Sequence, residues 1–206
     1  EVENVSVLKK IITEVNGKTL KIYLLKNEDQ TVRENTIKVY LSAQNISSFD
    51  VHSNSKISVM NQITSENLNI DLKSKGQLSG TIICNGKTKL VANSGTIFNG
   101  RVETTSFVGN FKSNSKINVS GTTAKANIEA SDSSLLEARN FIANTILLNA
   151  RGKSKAMIHV TKTIAVTVAD DARISYTEYP EKINLNDEAE SFQKNNTNKQ
   201  LVSINY

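Results

Sequence analysis

The sequence predicts an all-β solenoid, a single-stranded β-helix of about seven coils of ~20 residues each, and three observations carry that expectation. The first is a pair of apolar residues, five positions between them, that recurs as Val51/Ile57, Leu72/Leu78, Val91/Ile97, Phe111/Ile117, Ala130/Leu136, Ala150/Ala156 and Val168/Ile174. The first members stand 21, 19, 20, 19, 20 and 18 residues apart. A fixed period of this size marks a chain whose repeats each bury an apolar face against the next. The second is the polar filling of each pair: Ser53 to Lys56, Lys73 to Gln77, Ala92 to Thr96, Ser113 to Lys116, Ser131 to Leu135, Arg151 to Lys155 and Ala169 to Arg173. Short polar side chains and Gly favour turns, so these stretches read as corners. The third is period-two alternation in the flanks, as in Phe49, Val51 and Ile57, Val59, which is the strand signal.

In chain order, Val5, Leu8, Ile11, Ile12 and Val15 recur at helical spacing and predict a short helix. Asn16-Gly17, a tight-turn dipeptide, then leads into a strand from Thr19 to Leu25. A charged loop, Lys26 to Asn35, returns the chain as a strand from Ile37 to Ser42, so that residues 1–48 form a helix and hairpin cap on one solenoid end. The coils follow over residues 49–180, and 1–180 reads as one domain. Midway between corners a second apolar position recurs at Ile63, Ile82 or Ile83, Val102, Thr123, Ile142 and Ile164. Strands stacked at about 4.8 Å would make seven coils roughly 34 Å tall. From Glu181 the period is lost, and residues 181–206 read as a polar tail or cap with a brief strand-like stretch from Leu201 to Tyr206.

Composition narrows the function classes. Twenty-five Lys and Arg against 20 Asp and Glu give a net charge of +5, without Trp and with few aromatics, which argues against nucleic acid. The one cysteine, Cys84, follows Ile82 and Ile83 and reads as a buried, inert thiol. It can support neither a disulfide framework nor a cysteine-based zinc site, and no metal or cofactor is expected. No apolar run approaches the ~18 residues of a membrane span. The chain opens at Glu1 without an apolar signal segment, which reads as a trimmed or mature form.

The stretches GKTLKIYL from Gly17, IKVYLSAQNISSFDVHSNSKISV from Ile37, the SNSK corners at Ser53 and Ser113, and the closing DARISYTEYP are specific in their order and spacing. From about Gly17 to Pro180 they resemble a family of bacterial cell-envelope domains of unknown function, the putative auto-transporter adhesin, head GIN domain family. The resemblance implies a right-handed single-chain β-solenoid, found mostly in Bacteroides-like bacteria and exported to the periplasm, outer membrane surface or extracellular space. Three departures stand out. Glu178 replaces an expected Gly, Lys and Asn occupy corners where relatives carry Ser, Gly and Ala, and the strands that would precede Glu1 look missing.

Because side chains at one coil position stack on the next, separations near 20 become contacts. The position before each corner reads Asp50, Asp71, Leu90, Asn110, Glu129, Asn149, Thr167, and Asp50 and Asp71 are expected about 5 Å apart. Such a carboxylate pair would suit a retaining glycosidase or a cation, although calcium wants more oxygens than the sequence offers nearby. The position closing each corner reads Lys56, Gln77, Thr96, Lys116, Leu135, Lys155, Arg173, a cationic stripe suited to acidic glycans or lipid head groups but also cheap to keep as a solubilising edge. Asp170, Asp171 and Arg173 resemble the acid and base sets of pectin-degrading β-helices, but coils of nearly equal length leave no loops to wall a cleft. His52 and His159 lie more than five coils apart and pair with nothing catalytic. Asn4, Asn45, Asn118 and Asn195 open glycosylation sequons, which carry no weight in a bacterial chain.

The expected function is therefore a non-enzymatic, exported cell-envelope adhesin or interaction module. It would bind a glycan or another surface protein through a polar flank that includes Lys56, Lys116, Lys155, Arg173, Asp50 and Asp71. The alternatives are a polysaccharide lyase or glycoside hydrolase on a β-helix, and a structural protein that assembles through the solenoid ends.

Overall fold

The computed structural model describes residues 11–25, 37–177 and 180–186, and the described secondary structure is entirely β. Two compact units divide the chain, Glu1–Ala43 and Gln44–Tyr206. In the first, β1 (Ile11–Asn16) and β2 (Thr19–Leu24) form an antiparallel hairpin with Asn16 opposite Thr19. Gly17, at φ +60, supplies the positive φ that the two-residue loop needs. The helix expected over residues 5–15 is therefore replaced, from Ile11 onward, by a strand. Ile11, Thr13 and Val15 alternate as well as fitting helical spacing, and β-branched residues next to a tight turn pair locally instead. Glu14 meets Lys21 directly across the hairpin, with an ion pair of 3.4 Å. The strand expected from Ile37 to Ser42 is likewise not formed: Ile37 makes an isolated bridge and residues 38–43 are irregular. The expectations for Val5, Leu8, Lys26 to Asn35 and Leu201 to Tyr206 lie outside the described residues.

The second unit is a stack of parallel strands. In chain order these are β3 (Ser48–Val51), β4 (Lys56–Ser65), β5 (Leu68–Leu72), β6 (Gln77–Ala92), β7 (Ile97–Phe111), β8 (Lys116–Ala130), β9 (Leu135–Ala150), β10 (Lys155–Val168), β11 (Arg173–Thr177) and β12 (Lys182–Leu185). Every pairing among them is parallel and joins residues about one period apart. This is a β-solenoid of about seven coils, with long strands that run round each turn from one corner to the next. Differences in coil length are absorbed where register shifts, at Ser58/Gln62, Cys84/Lys87, Asn118/Ser120, Ile158/His159 and Val160/Thr163. Periodicity fades in the sequence at Glu181, yet β12 still adds to β10 with Ile183 opposite Ile164.

Two buried columns run the length of the stack beside the corners. Val51, Leu72, Ala92, Phe111, Ala130, Ala150 and Val168 precede them, and Leu78, Phe98, Ile117, Leu136, Ala156 and Ile174 follow. Five of the seven sequence pairs are complete in these columns, and a sixth, Val51/Ile57, follows the same register with Ile57 half-buried beside Leu78. The exception is Val91/Ile97, whose places are taken by Ala92 and Phe98, so the third pair is displaced by one residue. Val91 is half-buried on the outer face, while Leu90 is fully buried. Leu90, Val91 and Ala92 form an apolar run, as do Ile97 and Phe98, so alternation alone does not decide which parity faces inward.

The midway apolar series also divides. Ile82, Val102, Gly121 and Phe141 share one column, whereas Ile142 is 41% exposed and Ile164 stacks on Ile146 in another. Phe107 lies next to Ala126, and Phe141 next to Gly121, on the coil between them. These small residues let the two rings meet edge to face with centroids 5.1 Å apart. Gly121 is doubly constrained, by φ +112 and because a Cβ would sit 2.1 Å from the Val102 carbonyl oxygen. Cys84 is buried as expected, its Sγ 3.2 Å from the Glu66 carbonyl.

Candidate functional site

The corners are four-residue turns stacked into one edge of the solenoid. Ser53 and Asn54, Ser74 and Lys75, Ser94 and Gly95, Ser113 and Asn114, and Asp132 and Ser133 all have positive φ at successive positions, as the tight turn of type I′ demands. The fourth-residue N–H donates to the first-residue carbonyl, for example Gly76 to Lys73 at 2.8 Å and Ser115 to Lys112 at 3.1 Å. Between coils, the third-residue N–H donates to the next corner: Asn54 to Ser74 at 3.0 Å, Lys75 to Ser94 at 2.9 Å, Gly95 to Ser113 at 2.9 Å and Asn114 to Asp132 at 3.1 Å. Ser, Asn, Asp and Gly are there because they tolerate the left-handed conformation. The ladder turns the second- and third-residue positions outward in register, and the first-residue positions too except at Ser131, which is buried.

The column closing the corners runs Lys56, Gln77, Ile97, Lys116, Leu135, Lys155, Arg173, with Ile97 in the place that the sequence spacing gives to Thr96. Thr96 is buried at the end of its turn, in line with Ser115, Ser134 and Ser154. Five further cations stand on the turns themselves, Lys73, Lys75, Lys112, Arg151 and Lys153, against three carboxylates, Asp132, Asp170 and Asp171. The edge thus holds nine cations and three anions, net +6, while the whole chain carries +5. Like charges one coil apart repel by about 0.9 kcal/mol in water, and less in salt, so the edge is inexpensive to maintain.

The column preceding the corners runs Asp50, Asp71, Val91, Asn110, Glu129, Asn149, Thr167, Val91 replacing the Leu90 of the sequence reading. Asp50 and Asp71 are in register on neighbouring strands, as expected. Lys73, two residues on along the same face, closes on Asp71 Oδ2 at 2.6 Å. The hydrogen bond to Asp71, its charge and that of Asp50 raise the Lys73 pKa above the usual lysine value. The stabilisation from this raised pKa is present below the ordinary lysine pKa of about 10.4 and lost as pH rises past the folded value; in an exposed pair it is small. The carboxylates therefore already share a cation supplied by their own chain. Arg101–Glu103 at 2.6 Å and Arg139–Glu137 at 3.4 Å repeat the same two-residue pairing elsewhere.

Asp170 and the two histidines have structural partners. Asp170 Oδ2 accepts the Gly152 N–H at 2.9 Å and so continues the corner ladder. His52 Nδ1 lies 3.1 Å from Ser53 Oγ, and His159 Nδ1 lies 3.1 Å from the Arg139 carbonyl. Among the described residues no three His, Cys, Asp or Glu side chains converge as a metal site would require. Among the same residues no helix is long and apolar enough to cross a membrane.

A repetitive parallel β-solenoid with one ladder of cationic corners is a scaffold that displays columns of side chains. The family described as putative auto-transporter adhesin, head GIN domain, matches residues 2–180, and the chain belongs to it. That description speaks of an adhesin-like, exported protein and names no reaction. No curated protein and no solved structure matches the chain.

Proposed function

We propose that this chain is a non-enzymatic, exported cell-envelope interaction module that holds an acidic glycan along its corner edge. The observation that carries the reading is the net charge of that edge, +6 on the turns and closing column and still +5 once the Asp71 that meets Lys73 is counted, on side chains held in register by the turn ladder. A polymer with repeating negative charge meets such a column through many weak contacts, which add as effective concentration. Lys116 and Lys155 engage no carboxylate among the described residues and are available to it. Lys73 occupies Asp71 Oδ2 at 2.6 Å, and coils of nearly equal length wall no cleft around the Asp50 and Asp71 pair, which supports binding over hydrolysis.

Binding of the chain to an immobilised polyuronate, at low and at physiological salt, tests the proposal. The double variant Lys116→Glu/Lys155→Glu should bind at least about tenfold more weakly, and wild-type affinity should fall as salt rises. Unchanged binding in that variant would overturn the reading. So would cleavage of the polymer that disappears in Asp50→Asn and Asp71→Asn, which would make the chain a β-helical lyase or hydrolase.

A further inference from the structure

Beside the cationic corners, on the outer face of β6, β7 and β8, the surface sinks into a depression of about 330 Å³. Eight outward positions on three successive coils build it, in a grid with Lys89, Val91 and Asn93 in one row, Val108, Asn110 and Lys112 in the next, and Asn127 and Glu129 in the third. Two strand steps and two coil spacings span about 13 by 10 Å, the footprint of a short saccharide segment. Short, half-buried Val91 and Val108 make an apolar floor, and the longer Lys89, Lys112 and Glu129 rise around it. Beneath the floor the packing is tight: Gly109, buried next to Val108 in the chain, has no room for a side chain, since a Cβ there would lie 2.5 Å from a ring carbon of Phe111.

The polar groups are already set. Asn110 Nδ2 donates to Glu129 Oε2 at 2.7 Å, which fixes both side chains and turns the Asn110 carbonyl and the second Glu129 oxygen into acceptors for hydroxyl groups. Lys89 and Lys112 bring positive charge to the opposite and lateral sides, so a ligand with one acid group is oriented with that group away from Glu129. Apolar floor, amides, one carboxylate and two ammonium groups together match a sugar ring that bears a carboxylate: C–H face on the valines, hydroxyls on the amides and Glu129, acid on the lysines.

We propose that this depression is a subsite for a carboxylated sugar unit, and it deepens the acidic-glycan reading on which it rests. Val91 lies in it because the coil is displaced by one residue from the sequence register; with Val91 inward the floor would not exist.

Titration of the full chain with a hexuronate disaccharide, followed by the Val91 and Val108 methyl resonances, tests the subsite directly. Saturable shifts of those methyls are expected, about tenfold weaker binding in Asn110→Ala and in Lys89→Ala, and no such shifts with the corresponding neutral disaccharide. Both side chains lie on the outer face, and unchanged circular dichroism and melting would show that the fold is intact. If the polyuronate binds wild type while the valine methyls stay still, or if both variants bind the disaccharide as wild type does, the subsite is overturned and the edge reading stands. Shifts at the valines with polymer binding indifferent to Lys116→Glu/Lys155→Glu would uphold the subsite and overturn the edge. Failure of both probes to bind would overturn both.

Discussion

Leu90, Val91 and Ala92 are three apolar residues in succession, and only the middle one faces outward. Leu90→Asp would place a charge without a partner between coils and should lower stability by about 3 kcal/mol or more. Val91→Asp, at a half-buried outer position beside Asn110, should cost about 1 kcal/mol or less. Urea unfolding of the two variants measures the difference, and equal losses would put the coil back in the other register. This slip shows how far single residues are legible in the sequence. Asp50 over Asp71, the inward Phe111 and the buried Cys84 follow from spacing and alternation alone. Val91 does not, because neighbours of both parities are apolar. The signal that resolves it is polar: aligning Ser94-Gly95-Thr96 with Ser113-Asn114-Ser115 as one turn type moves the third pair onto Ala92 and Phe98. The ion pair between Asp71 and Lys73 was equally open to inspection, since i and i+2 share a strand face.

At the scale of elements, the corners were the most legible feature and the ends the least. Corners repeat, and five of the seven report the same turn with two successive left-handed residues, whereas the N-terminal hairpin and β12 occur once and compete with other local patterns. In the last described coil a side chain joins the ladder. Asn186 Oδ1 accepts the Val168 N–H and its Nδ2 donates to the Val168 carbonyl, both at 3.0 Å, so one side-chain amide takes the place of a further backbone partner. Asn186→Ala should therefore raise hydrogen exchange at Val168 and along β12 while leaving β6 to β8 protected. The expected loss is about 1–2 kcal/mol for the two bonds. Unchanged exchange at Val168 would mean that the amide does not hold the end of the ladder.

For the whole molecule, the arrangement that matters is the conversion of a sequence period into columns. It concentrates a net +6 on one edge of a chain that is otherwise slightly acidic, and it gathers three amides and one carboxylate from three coils into a single depression. The edge was readable once the period was known. The depression was not, because it depends on the one coil whose parity the sequence leaves open. Pairs of spin labels at Lys56 with Leu135, Lys155 and Arg173, in a Cys84→Ser background, test the columns most directly, because these positions lie four, five and six coils apart. Backbone separations of about 19, 24 and 29 Å, rising in equal steps of one strand spacing, are predicted. Distances that fail to grow coil by coil would contradict the stacked register and every surface built on it.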